Sequence, residues 1–415
     1  MSNRRAIVIG GGVIGVTSAY YLRRDGWAVT LVERGEICAG CSYGNAGLLA
    51  PSHVLPLAAP GVWWQGVKWM LDSESPFYIK PRPDPALVSW LWRFRAACAP
   101  ARARPAMRLI RALSLASLDL YRELVRLPGL EFAFREPGSM TVYLTREAFE
   151  HGIQEARDAE ALGVVSKVLD GPAARAMEPA LHPDVFGAIF FPEDALLVPD
   201  RFVKGLGRLL ATLGVELRTA TEVLGFRTSG NQVTIVETTR GPLDADLVVL
   251  AAGSWTPGVA RALGLRLPIQ PAKGYSLTYR RPQNGPSIPL LPAEARFSIT
   301  PMGDLLRFGG TLELAGLDLS VNRRRVEALR RSARRYLVDL EPLELLEIWR
   351  GLRPCTPDGL PLLGRSARLP NLIVAAGHAM VGMVLGPVSG KLVAQVAAGT
   401  TPLADITLLD PQRYG

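Results

Sequence analysis

The sequence predicts an α/β fold in two parts: a parallel sheet flanked by helices, and a second domain on an antiparallel sheet. Three observations carry this. Ala6 to Glu33 reads strand, glycine turn, helix, strand. Asp246 to Gly253 and Ile373 to Gly377 are short apolar runs of the kind found in buried parallel strands. Residues 268 to 314 alternate between strand-like runs and turns, as an antiparallel sheet requires.

In the first stretch, Ala6-Ile7-Val8-Ile9 is apolar and β-prone. Val13, Ile14, Val16, Ala19, Tyr20 and Leu22 then recur at helical spacing, Gly26 stops the helix, and Ala28 to Val32 forms a second strand. The glycines between strand and helix stand as Gly10-x-Gly12-x-x-Gly15. In a Rossmann-type unit they allow a tight turn, close approach of a pyrophosphate, and close helix–strand packing. The helix N-terminus, at Val13 and Ile14, offers N–H groups and positive potential to phosphates. Glu33 stands about twenty residues on, where a carboxylate accepts from a ribose hydroxyl. The pattern predicts a dinucleotide with an unphosphorylated ribose; it does not separate FAD from NAD. Arg4 and Arg5 before an apolar run imitate a signal peptide, but three glycines and Arg23-Arg24-Asp25 interrupt the required apolar core.

Arg34 to Gly47 is dense in small residues, which lets backbone pass close to a ligand. Cys38-x-x-Cys41 within it has no second pair and no histidine cluster to complete a metal set, so packing is the expected role and no metal is expected. Residues 51 to 100 are rich in proline and tryptophan (Trp63, Trp64, Trp69, Trp90, Trp92), which suits a substrate lid, a membrane-interface contact or core packing.

Helices are expected at Arg102 to Leu127 (with one break), Arg146 to Leu162, Pro199 to Leu213, Arg323 to Leu340 and Gly386 to Ala398. Strands are expected at Gly138 to Thr145, Ala188 to Phe191, Ala195 to Val198 and Tyr275 to Tyr279. Residues 1–75 with 145–270 and 345–415 form the expected nucleotide-binding domain, and 76–144 with 271–344 the substrate domain.

The chain has 415 residues, 48% apolar and 20% charged, with a net charge of +9 that comes mainly from arginine. That is ordinary globular composition, long enough for two cores. Basic excess suits nucleic acid or an anionic membrane surface. Only six lysines and no recognition module argue against nucleic acid, and solvated arginine-rich helix faces explain most of the charge. Four cysteines and no signal sequence predict a cytoplasmic location.

The C-terminal third carries a resemblance. Trp349-Arg350-Gly351-Leu352-Arg353-Pro354-Cys355-Thr356-Pro357-Asp358-Gly359-Leu360-Pro361-Leu362-Leu363-Gly364 resembles the GLRPxTPDGxPxxG signature of FAD-dependent amine dehydrogenases and oxidases. Gly377-His378-Ala379-Met380-Val381-Gly382 resembles their GHxxxG loop. Lys273 to Thr278, Asn45-Ala46-Gly47 and Glu178 to Leu181 are similar to the small subunit of D-amino acid dehydrogenases, in colinear order along the whole chain.

The resemblance implies non-covalent FAD, its adenosine half on Gly10 to Glu33 and Arg34. Cys41, Ser42, Asn45, Gly47 and Leu48 would run along pyrophosphate and flavin, with Val223 backbone at the adenine. Ala252, Gly253 and Trp255 would lie on the ribityl side. Backbone of Gly377, His378, Val381, Gly382 and Met383 would stabilise negative charge on the reduced ring. Arg353 would clamp the substrate carboxylate, with Tyr275 as a second contact. His53 would face the amine, and His378 would bond the flavin or shape its loop. Met380, where glycine- and sarcosine-type relatives carry Arg or Lys, implies a larger, more apolar substrate. The implied reaction is oxidative deamination of a D-amino acid, with electrons passed to a quinone or another carrier, and possible seating on the inner membrane face. An oxidase or a proline-type dehydrogenase on the same scaffold is the alternative, and a flavin-dependent RNA-modifying protein the alternative of another class.

Overall fold

The computed structural model describes residues 4–59, 61–69, 75, 77–338 and 343–414. The side chains of Gln65, Val67, Lys68 and Trp69 lie outside that description, as does Leu340, the expected end of the arginine-rich helix. Two large sheets organise the chain. The first has six strands in the order Leu362–Arg365, Leu372–Ala376, Leu247–Leu250, Arg5–Ile9, Ala28–Val32, Glu216–Arg218. All pair in parallel except Leu362–Arg365, which runs antiparallel at the edge. The central strands are apolar on both faces because both are covered: helices pack on one, and a three-stranded ribbon (Val223–Ser229, Gln232–Thr238, Leu243–Asp244) with the short helix Thr256–Arg261 packs on the other. Leu22, Leu31 and Val249 face one core with Leu206 and Leu392; Ile7, Val248 and Val374 face another.

Among the described residues the second sheet has nine strands, with Leu345–Cys355 at one edge, Gln270–Arg280 next to it and Leu305–Leu314 beyond. It is antiparallel except where Leu290–Pro292 meets Ser139–Tyr143 and where Leu305–Leu314 meets Phe77–Ile79. A separate ribbon of three strands begins at Val223–Ser229. These arrangements bear out the α/β class with its parallel and antiparallel parts.

Strand membership differs from the expected division. Lys167–Asp170 and Gly187–Phe191 lie within 145–270, and Leu345–Cys355 opens 345–415, yet all three pair in the nine-stranded sheet. The helix Pro100–Leu124, placed by sequence with the substrate domain, packs Ile110, Leu113, Tyr121 and Leu124 into the core beneath the parallel sheet. Backbone pairing across hundreds of residues decides these memberships, and a local pattern carries no record of it. That helix is continuous: Pro105 sits near its start, where the lost hydrogen bond is tolerated by burial further along. The arginine-rich helix is shorter than expected, Arg323–Ala333, and opens on Asn322, whose side chain accepts from the amides of Arg324 and Arg325.

The tryptophan-rich segment divides. Trp90 is buried and donates from Nε1 to the carbonyl of Cys355 (3.0 Å), so the helix Pro85–Ala97 is pinned to the second sheet. Trp63 is half-buried, while Trp64 and Trp92 are 67% and 64% exposed. No helix among the described residues is long and apolar enough to cross a membrane.

Candidate active site

One cavity of about 2890 Å³ runs between the two sheets and gathers most of the residues singled out by sequence. At its nucleotide end, Gly10 adopts φ +115°, and a Cβ there would strike the carbonyl of Ala251 on the neighbouring strand. Only glycine fits both the dihedral and the approach. Gly15 lies behind the turn with its Cα on the carbonyl of Gly10 and does not line the cavity; its role is helix–strand packing. Gly12, Val13 and Ile14 line the wall at the start of the helix Val13–Arg24. Ser42 Oγ accepts from the Val13 amide (3.0 Å), so this helix end already has a polar partner beside the space a phosphate would take.

Glu33 uses both carboxylate oxygens on backbone: Oε2 accepts from Gly11 N–H (2.7 Å) and Oε1 from Gly35 N–H (2.8 Å). Each oxygen keeps a second lone pair for a ribose hydroxyl. Arg34 stacks over Trp255, its guanidinium carbon 4.1 Å from the ring centre. Trp255, expected on the ribityl side, therefore sits with the adenosine-side Arg34. Val223, Ala252 and Gly253 complete this end of the cavity. An indole shelf, a carboxylate anchor and a glycine cradle on one wall fit the adenosine diphosphate half of FAD.

The loop that continues the wall includes Cys41, Asn45 and Leu48. Burial pushes the Cys41 thiol up to about 11 and the Cys38 thiol up to about 12, so both stay protonated near neutrality. Gly47 does not line the cavity. Its φ is +71° and its Cα abuts the carbonyl of Leu197, so it turns the loop rather than meeting a ligand. Asn45 Oδ1 accepts from Gly47 N–H (2.8 Å), and Arg307, which the sequence did not single out, holds the loop from beneath.

The catalytic end is built on Leu345–Cys355 paired with Gln270–Arg280. Ala272 lies opposite Arg353, Gly274 opposite Gly351 and Ser276 opposite Trp349. Side chains alternate, so Trp349, Gly351 and Arg353 share one face with Ala272 and Gly274. The Trp349 indole covers the bare Cα atoms of Gly351 and Gly44, and the Arg353 guanidinium covers Gly274; a Cβ at any of the three glycines would overlap these side chains. Arg353 donates from Nη1 to the carbonyl of Thr311 (2.7 Å). Trp349 was not assigned a role by sequence, although it opens the motif; only its opposition to two glycines reveals one.

Tyr275 is corrected. The same alternation puts its side chain on the opposite face from Arg353, fully buried, with its hydroxyl accepting from Asn322 N–H (3.1 Å) beside Glu313. Burial pushes that phenol up to about 12. Tyr275 borders the cavity, but its hydroxyl is committed to Asn322 on the face away from Arg353, where it braces the sheet.

His53 lies exposed at the cavity wall. Its loop is fixed by the buried Asp194, which accepts from Ser52 Oγ and Ser139 Oγ (both 2.6 Å) and from Ser52 N–H (3.1 Å). His378 is buried, with Nε2 2.9 Å from Ser389 Oγ, and burial lowers its pKa to about 3. Burial favours the neutral ring near neutral pH, with Nε2 committed to Ser389 while the residue borders the cavity. Gly377, Val381, Gly382 and Met383 line the cavity. The amides of Ala379 and Val381 are taken by the carbonyls of Pro354 and His378, so neither is free for the flavin. Tyr121 donates to the carbonyl of Met383 (2.6 Å) and fixes the loop from the helix Pro100–Leu124. Among the described residues no group of His, Cys, Asp and Glu could hold a metal ion.

A dinucleotide cradle, a glycine-rich loop and a cavity-facing arginine together define a flavoprotein oxidoreductase. The family model described as FAD dependent oxidoreductase (DAO) matches residues 5–396, and the chain belongs to that family. The D-amino acid dehydrogenase of Methylobacterium radiotolerans is 38% identical over 414 residues, covering 95% of this chain and 96% of that protein. The one from Granulibacter bethesdensis is 33% identical and covers 99% of each. Among solved structures, glycine oxidase from Geobacillus kaustophilus is 24% identical with a TM-score of 0.81, covering 99% of this chain and 100% of that one. L-proline dehydrogenase from P. horikoshii is 21% identical with a TM-score of 0.76, covering 99% and 98%. Both share the fold.

Proposed function

We propose that this protein is an FAD-dependent D-amino acid dehydrogenase. It removes two electrons and two protons from the amino acid to give an imino acid, which water hydrolyses to a 2-oxo acid and ammonia. What supports the substrate class is full-length similarity to relatives bearing that name, joined to one observation: Arg353 is the guanidinium held over a bare glycine on the cavity face.

FAD, when bound, supplies the two-electron acceptor. The remaining work falls to the chain's own groups. Arg353 keeps N–H donors beyond the one given to Thr311, and a planar fork matches a carboxylate. Fixing the carboxylate fixes the α-carbon. Trp349 walls the cavity beside it and excludes water. No acid–base group is required at the carbon, because substrate bound with a neutral amine already has its lone pair available. Met380, half-exposed on the cavity wall, adds apolar surface suited to an apolar side chain.

The test is anaerobic bleaching of the flavin by matched D- and L-amino acids, repeated with Arg353→Ala. D-enantiomers should bleach it, and the variant should keep its flavin while losing at least about tenfold in apparent substrate affinity. Equal bleaching by L-enantiomers, or unchanged affinity in Arg353→Ala, overturns the reading.

Electrons then leave to a quinone or another carrier, and the surface supports seating on an anionic membrane. Trp92 stands exposed beside Arg95 in a stretch from Pro85 to Leu118 that holds six arginines, only Arg111 of them buried, and no acidic residue, and the exposed Trp64 borders the same hollow. Co-sedimentation with anionic vesicles, absent with neutral ones and lost in Trp64→Ala/Trp92→Ala, is the expected result. Retention by the double variant would remove the membrane role.

A further inference from the structure

We infer that Thr311 is a positioning residue: a β-bulge at this site aims its carbonyl at Arg353 and so presets the guanidinium for a substrate carboxylate. The inference rests on Arg353 being the carboxylate anchor.

The bulge is read from register. On Leu305–Leu314, Gly310 pairs with Tyr275 and Glu313 with Lys273. Thr311 and Leu312 therefore both face the single residue Gly274. An extra residue bends the strand and re-aims its groups, which is the use bulges find beside active sites. Thr311 takes φ +61°. For a β-branched residue that is an outlier, and such strain persists only where the surroundings over-determine it. Here they do. Leu312 pairs with Phe77 on one side; on the other, Gly309 pairs with Ser298 and the Cα of Gly310 is closed in by Phe297 and Leu329.

The strained conformation serves one visible interaction. The Thr311 side-chain hydroxyl is buried with no hydrogen-bond partner among the described residues, so it does not explain the conformation. The Thr311 carbonyl does have a partner, accepting from Arg353 Nη1 at 2.7 Å. The bulge thus sets two things on either side of the guanidinium: the bare Cα of Gly274, on which it lies, and the carbonyl that holds one of its N–H groups. A long side chain that would otherwise sample many rotamers is held in one, with other donors left for the ligand. Pre-organisation of this kind lowers the entropy cost of binding and acts on affinity more than on the chemical step.

The test compares Thr311→Pro, Thr311→Asn and Gly274→Ala as flavin-loaded enzymes, each alone and with Arg353→Ala. The substrate is whichever D-amino acid bleaches the flavin fastest. Proline fixes φ near −65° and cannot hold the bulge, whereas asparagine accepts positive φ. Thr311→Pro should raise KM about tenfold or more, with kcat within about threefold of the parent, and add nothing further to KM in the Arg353→Ala background. Thr311→Asn should keep the parent KM. Gly274→Ala leaves the bulge backbone alone but displaces the guanidinium, so it should raise KM in the same non-additive way. It serves if the proline variant fails to fold. An unchanged KM in Gly274→Ala, or effects that add to Arg353→Ala, overturns the inference. If Arg353→Ala itself leaves KM unchanged, the carboxylate reading has failed instead.

Discussion

Arg307 Nη1 donates to the carbonyl of Asn45 at 3.0 Å, and the same nitrogen reaches the carbonyl of Tyr43 at 2.9 Å. The guanidinium is buried, its Nε bonded to Thr278 Oγ1, and burial lowers its pKa below the usual arginine value. A cation rooted in the antiparallel sheet thus fastens the loop that follows the nucleotide cradle, linking the two halves of the cavity.

Removing that link should loosen the loop where it borders the cofactor. Hydrogen bonds from a charged donor contribute about 1.5–3 kcal/mol each. Arg307→Leu should weaken FAD binding by at least about tenfold, read from flavin titration of the apoprotein. Unaltered affinity would separate the loop from cofactor binding.

Trp349 and Gly44 make a steric pair. A Cβ on Gly44 would overlap the indole, so Gly44→Ala should cost about 1–3 kcal/mol of stability, as overpacking does. Trp349→Leu in the same chain should restore most of it in urea denaturation. Two losses that simply add would disprove the contact.

Gly10→Ala combines an impossible approach to Ala251 with a dihedral of +115° that alanine resists. The expected loss is at least about 2 kcal/mol. The purified variant should carry little flavin and melt earlier than the parent apoprotein. Full flavin content would show that the turn can relax.

His378 predicts a pH dependence of stability. Its pKa is near 6.5 when unfolded and about 3 in the fold, lowered by burial. Between these values the unfolded chain binds more protons, so stability falls as pH falls. The contribution of the neutral ring is complete above pH 6.5 and is lost progressively toward pH 3, at no more than about 1.4 kcal/mol per pH unit. Denaturant unfolding at pH 7, 5.5 and 4.5 should show this slope, and His378→Asn should flatten it. Equal slopes would mean that His378 is protonated in the fold or shielded in the unfolded chain.

Much of the fold was legible because it is local. The stretch Gly10 to Glu33 carries its own strand, turn and helix signals, and the closing helix has the expected bounds, Gly386–Ala398. Where sequence reasoning went astray, the missing fact was which face a residue occupies. Tyr275 lies two residues from Lys273 in a recognisable motif, but alternation on its strand sends it away from Arg353. The tryptophans of 51–100 look alike in sequence; Trp90 is buried by an acceptor at Cys355, 265 residues away, while Trp64 and Trp92 remain exposed.

The sequence by itself determined the nucleotide cradle, the order of elements and the motif that carries Arg353. Those depend on period, turn chemistry and glycine placement within a few residues. Tertiary structure alone decided that Trp349 would lie on Gly44, that Arg307 would hold Asn45, and that Thr311 would turn its carbonyl toward Arg353. Each depends on register between strands far apart in the chain, set by the joint packing of two sheets rather than by any one segment.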